Sequence, residues 1–117
     1  MSQEAGHDIN YLALSGALGA IGPATNAPTV PLNIVADFAG GGLYAAYAIM
    51  GALLERERSG EGQHLDVAMV DGCISLMAMH YADWGKPVLP SRGRGLLTGD
   101  APFYRCYACA DGKYVAV

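Results

Sequence analysis

Charge is what this chain has least of. Charged side chains make up 15% of its 117 residues, and none falls between Ile9 and Ala36. A free-standing domain of this size ordinarily carries more charge on its surface. The shortage predicts a chain that buries much of its surface against something outside itself. Lysine and arginine number only 7 and form no cluster, and the net charge is −4. A surface that neutralises a run of phosphates is therefore excluded, and nucleic acid with it. The start has no basic region followed by an apolar one, so no cleavable leader is visible. Cysteine is sparse and odd in number, at Cys73, Cys106 and Cys109, which argues against a disulfide framework. Cys106-Tyr107-Ala108-Cys109 has a CxxC spacing, but no second pair or histidine ligand accompanies it. Two reduced thiols in a strand and turn are expected there, and no metal.

One long apolar run stands out. Phe38 to Leu54 is uncharged, but it contains Gly40-Gly41-Gly42 and ends in Glu55-Arg56-Glu57-Arg58. It is slightly short for a bilayer span, and a buried helix is expected rather than a membrane one.

What is present reads as a mixed α/β chain. Asp8 with Ile9, Leu12 and Leu18 predicts a short helix over 8–19, stopped by Gly22-Pro23. Residues 22–32 hold three prolines and form a loop. A long helix follows from about Asp37 to Arg58, with Leu43, Tyr47, Met50 and Leu54 on one face. Its acid at the start and arginines at the end suit the helix dipole. Gln63 to Met69 alternates like a strand, and Val70 to Asp83 returns to helical spacing. Phe103–Cys109 and Tyr114–Val117 flank Asp111-Gly112 as a hairpin.

Two residues stand out chemically. His7 lies just ahead of a helix N-terminus, where unpaired backbone N–H groups can hold a developing oxyanion. It is either a base poised near neutral pH or a structural histidine. Asp37 is either an N-cap or a carboxylate that meets a substrate. The glycines after it make sense only where another backbone or a ligand comes close. The Gly run lacks the strand and acidic partner of a dinucleotide fingerprint. No nucleophile elbow or HExxH is present.

Five blocks in one order carry a resemblance. They are Gly6-His7-Asp8-Ile9-Asn10-Tyr11, Pro31 to Phe38 with Gly40-Gly41-Gly42, Gly60-Glu61-Gly62-Gln63, Asp66 to Gly72, and Cys109 to Val117. Together they resemble the α-methylacyl-CoA racemases of the class III CoA-transferase superfamily. The resemblance implies part of a Rossmann-like large domain (1–21), a linker (22–36), and a helix-rich region with the start of a smaller α/β domain (37–117), in a family of interlocked homodimers. It implies an internal segment of a longer enzyme, inactive by itself. In that enzyme His7 and Asp37 would be two bases that invert the carbon next to a thioester. The Asp8 backbone N–H would hold the enolate oxygen, and Tyr11, Asn33, Gly40 and Gly41 would support or bind substrate. No cofactor is implied, since coenzyme A is part of the acyl-CoA substrate. The alternative is a CoA-transferase with Asp37 as nucleophile; histidine at position 7 favours the racemase branch. The address would be cytoplasmic in a bacterium, and mitochondrial or peroxisomal in a eukaryote.

Overall fold

A computed structural model describes residues 4–84, 86 and 90–117. The chain is mostly helical. Helix α1 (Asp8–Leu14) and the single turn α2 (Ala17–Ala20) are followed by a loop and a π-helical segment, Ile34–Leu43. This segment runs straight into α3 (Tyr44–Ser59). Helices α4 (Met69–Leu76) and α5 (Ala78–Ala82) come next, and strands β1 (Cys106–Ala108) and β2 (Tyr114–Ala116) close the order.

The expected helix over 8–19 is interrupted. Gly16 adopts φ +81°, and the Ser15 hydroxyl donates to the Leu12 carbonyl at 2.9 Å, so the chain turns between α1 and α2. The long helix starts earlier than expected, at Ile34, which places Asp37 in its first turn rather than at its cap. The basic end is as expected, with Arg56 and Arg58 in the last turn and Gly60 at φ +76° ending it. The helix expected over 70–83 breaks at Met77, which ends α4 and begins α5.

The alternating stretch 63–69 is not a strand. Residues 61–68 carry no regular structure, and Met69 already begins α4. A strand needs a neighbour for its N–H and C=O groups, and among the described residues none lies beside it. The hairpin does form, as an antiparallel pair in register Cys106–Ala116, Tyr107–Val115 and Ala108–Tyr114. Gly112 takes φ +79° in its turn, and Asp111 Oδ1 accepts from the Lys113 N–H at 3.1 Å. Cys106 and Cys109 are free and exposed there. Residues 85 and 87–89 lie outside the described residues, and 90–105 carry turns and bends without helix or strand.

The core is small. Leu12, Ala17, Ala36, Cys73 and Met77 are its buried apolar members, with Tyr11, Leu18, Val35 and Tyr81 packed around them. They join α1, α2, the π-helical segment, α4 and α5 into one knot. The Tyr81 hydroxyl donates to the Ser15 carbonyl across it. Beyond the knot, α3 projects with no buried residue. The expectation of a buried helix therefore fails within this chain. The accessible surface is 8247 Å², against roughly 6,000 Å² for a closed monomer of this mass. The radius of gyration is 18.0 Å, against about 13 Å for a compact domain. Low charge and exposed α3 have one cause: the apolar surface here is not closed by this chain.

Candidate functional site

The π-helical segment poses an accounting problem that the site solves. A π-helix bonds each N–H to the carbonyl five residues back, as Phe38 does to Asn33 at 3.3 Å. Ala36 and Asp37 lie too near its start to find such a partner within the helix. Both are satisfied from α1. The Asp8 carboxylate oxygen Oδ1 accepts from Ala36 N–H at 3.1 Å and from Asp37 N–H at 2.8 Å. Ala36 is fully buried, so its N–H has no access to water as an alternative. One oxygen thus ties the first turn of α1 to the first turn of the next long helix.

This buckle sets the two candidate bases on joined backbone. His7 immediately precedes α1, with extended backbone, and its N–H donates to Asn10 Oδ1 at 3.0 Å. The Asn10 N–H donates back to the His7 carbonyl at 2.9 Å, and the pair fixes the entry into the helix. Asp8 is the first helical residue, so its own N–H has no acceptor inside α1. Both His7 and Asp37 are exposed. The Asp37 carboxylate is held in turn by Asn33, whose side-chain amide donates to Oδ2 at 3.2 Å. Just before Asn33, Leu32 adopts a left-handed φ of +56°. A non-glycine residue there costs about 1–2 kcal/mol, and this strain sits where the chain turns into the site.

Tyr11 lies inward from the bases. Its ring covers Gly6, with Cζ 2.6 Å from where a Cβ on Gly6 would stand. Gly40 and Gly41 face helix α4. A Cβ on Gly40 would meet the Cys73 backbone nitrogen at 3.0 Å and the Met69 carbonyl at 3.1 Å, and one on Gly41 would meet Met69 Cγ at 2.9 Å. Of the two partners expected for these glycines, backbone or ligand, the space is taken by backbone and by Met69. Gly72 and Cys73, which complete this crossing, were not foreseen as site neighbours. Their signal was the small pair Gly72-Cys73 following Asp71 in a helical stretch.

Cys73 lies under the site, fully buried. Burial pushes its thiol up from 9.0, the nearby Asp8 carboxylate adds to the rise, and a hydrogen bond with Ser15 opposes it. Among the described residues, no group of three histidine, cysteine or acidic side chains could hold a metal ion. Helix Ile34–Ser59 has the length and hydropathy to cross a bilayer. Its first turns, however, are packed on α4 through Gly40 and Gly41 and carry Asp37 tied to α1.

A helical knot thus presents an exposed aspartate and an exposed histidine from two helix starts fastened to each other through the Asp8 carboxylate. The family model for CoA-transferase family III matches residues 1–117, and the chain belongs to that family. It is 48% identical to the alpha-methylacyl-CoA racemase of Mus musculus over 99% of its own length and 31% of that protein's. It is 31% identical to succinyl-CoA:glutarate CoA-transferase of Mus musculus over 98% of its length and 26% of that protein's. A crystal structure of a CAIB/BAIF family protein from Brucella suis superposes with a TM-score of 0.73 at 31% identity, covering 97% of this chain and 29% of the other. The chain therefore spans about a third of the length of the racemase it matches.

Proposed function

We propose that the full-length protein carrying this chain is an epimerase of 2-methyl-branched acyl-CoA thioesters that works by two-base proton transfer. The observation that carries the reading is the fastening of Asp37 to the residue after His7, through the 2.8 Å bond from Asp37 N–H to Asp8. A thioester acidifies its α-hydrogen, so a modest base suffices. Either neutral His7 or ionised Asp37 takes the proton from one face. The other residue, in its protonated form, delivers a proton to the opposite face, and the return reaction exchanges their roles. Between the two steps the substrate is an enolate, whose oxygen accepts from the Asp8 backbone N–H. Asn33 keeps the Asp37 carboxylate aimed. The reading includes no cofactor beyond the coenzyme A of the substrate, a homodimer, and a cytoplasmic, mitochondrial or peroxisomal setting.

A second reading is supported by the exposed Asp37 carboxylate and by the transferase relatives: Asp37 attacks a thioester carbonyl, forms an acyl anhydride as the C–S bond breaks and CoA leaves as its thiolate, and the CoA is then passed through Asp37 to a second acid. One experiment separates the two. The full-length protein is given each epimer of a 2-methylacyl-CoA in deuterium oxide. Inversion with deuterium at C2 is expected. CoA exchange between acids with no deuterium at C2, and an acyl adduct trapped on Asp37, would replace the racemase by the transferase.

A further inference from the structure

We infer that the Asp8 side chain is a positioning residue that sets the spacing of the two bases, apart from any role of its backbone N–H. The inference rests on the racemase reading for its kinetic consequence but not for its structural one. Asp8 Oδ1 is shared between Ala36 N–H at 3.1 Å and Asp37 N–H at 2.8 Å. Both donors belong to the first turn of a helix whose own cap residue, Asn33, makes no side-chain cap bond. Asn33 spends its amide on the Asp37 carboxylate instead. The cap of one helix is thus supplied by the first residue of another, 28 and 29 positions earlier in the chain. His7 is covalently next to the acceptor, and Asp37 owns one of the donors. Among the described residues no other hydrogen bond joins these two helix starts, so this carboxylate is the polar tie that adds to the packing of Leu12 and Ala36 in the core.

The geometry explains the residue type. An aspartate is short enough to keep two backbones in contact. Its charge also favours the positive end of the helix it caps. A neutral asparagine retains the accepting oxygen. A glutamate keeps the charge but pushes the two helix starts apart by one methylene. Misplacing reacting groups by about 1 Å costs on the order of 100-fold in rate.

The test uses the full-length protein and the substitutions Asp8→Ala, Asp8→Asn and Asp8→Glu. Two quantities are read. The first is protection of the Ala36 and Asp37 amides from hydrogen exchange. The second is the ratio of inversion to deuterium wash-in with retention, for both epimers. A single correctly placed base still exchanges the α-hydrogen on its own face, whereas inversion needs both bases aligned. In Asp8→Ala and Asp8→Glu the ratio is expected to fall by about tenfold or more with KM little changed. Asp8→Asn should recover most of it. Amide protection should be lost in Asp8→Ala and kept in Asp8→Asn. Should Asp8→Ala not fold, Asp8→Glu carries the same comparison. A purely structural role would lower inversion and wash-in together and leave the ratio unmoved, and that result overturns the inference. Unchanged protection in Asp8→Ala overturns it also. If the unsubstituted protein gives neither inversion nor wash-in, the racemase reading fails, and the buckle is decided by amide protection alone.

Discussion

The carbonyl of Gly40 occupies the place where a side chain on Gly72 would begin, so the π-helical segment and α4 cross backbone to backbone. Gly40 and Gly72 are both buried; a side chain on Gly72 would run into the Gly40 backbone, and one on Gly40 into Cys73 and Met69. Adding a methyl at position 72 forces the backbones apart, and overpacking of this kind costs about 1–3 kcal/mol. Gly72→Ala is therefore expected to lower the denaturation midpoint of the full-length protein clearly. Gly51 is the control. It lies in α3 with open space around its Cβ position in this chain, and in the 117-residue chain by itself Gly51→Ala should stabilise by about 0.5–1 kcal/mol through helix propensity. Equal effects at the two positions would mean that the crossing does not limit packing.

Asn33 offers a gentler probe of the site. Its amide is 3.2 Å from the Asp37 carboxylate, on exposed side chains. Asn33→Ala should leave stability within about 0.5 kcal/mol, as exposed substitutions usually do. Turnover should nevertheless fall about tenfold, since a released carboxylate samples unproductive rotamers. Asn33→Asp places a second carboxylate beside Asp37 and should be worse than alanine. The check is kcat for each epimer beside a urea melt. A loss confined to the melt would make Asn33 a folding residue only.

The parts of this chain that were legible beforehand are the parts decided locally. Asp8 before an apolar period marks the start of α1, and Asp111-Gly112 between two apolar runs marks the hairpin, because those choices are settled within a few residues. The stretch 63–69 alternates as a strand does, yet alternation records only which side chains face inward. Whether a partner strand pairs with it is decided elsewhere. The helix start at Ile34 was misplaced at Asp37 because aspartate is a good N-cap, whereas here the cap arrives from Asp8 far away in sequence. The spacing of Leu43, Tyr47, Met50 and Leu54 showed an apolar face but not what covers it. Of the site, His7 and Asp37 were legible by family resemblance and by residue chemistry. The buckle between them was not, since no periodicity encodes a bond across 29 residues.

Cys73 makes a prediction about pH. Its thiol is buried, and burial together with Asp8 raises its pKa above 9.0, against the Ser15 hydrogen bond. The folded state therefore favours the neutral thiol, while the unfolded chain ionises first. Below the unfolded pKa both states hold the proton, and the stability is fully present. As pH rises through the unfolded and then the folded value, the unfolded state loses the proton first and stability falls. The expected outcome is a decline in the unfolding free energy from about pH 9 upward, shallower in Cys73→Ala although that variant starts less stable. An identical slope in the two proteins would remove Cys73 as the source.

The last prediction concerns the uncovered face of α3. Leu43, Tyr47, Met50 and Leu54 follow one another at helical spacing and are all exposed, Tyr47 to 75%. Burying each such side chain is worth about 1.5–3 kcal/mol, too much apolar surface to stay open in a stable soluble assembly. Substituting Tyr47 and Met50 by lysine should then act with opposite sign in two settings. In the 117-residue chain by itself, the stripe faces water and drives self-association. The lysines should raise solubility and lower binding of a hydrophobic dye. In the full-length protein, a covered stripe must bury two unpaired charges, and the same substitutions should lower the melting temperature steeply or abolish folding. Sedimentation of the short chain and a thermal melt of the long one give the two readings. If the lysines are neutral in the full-length protein, the stripe is open there too. The low charge of the sequence would then need another explanation than surface buried outside this segment.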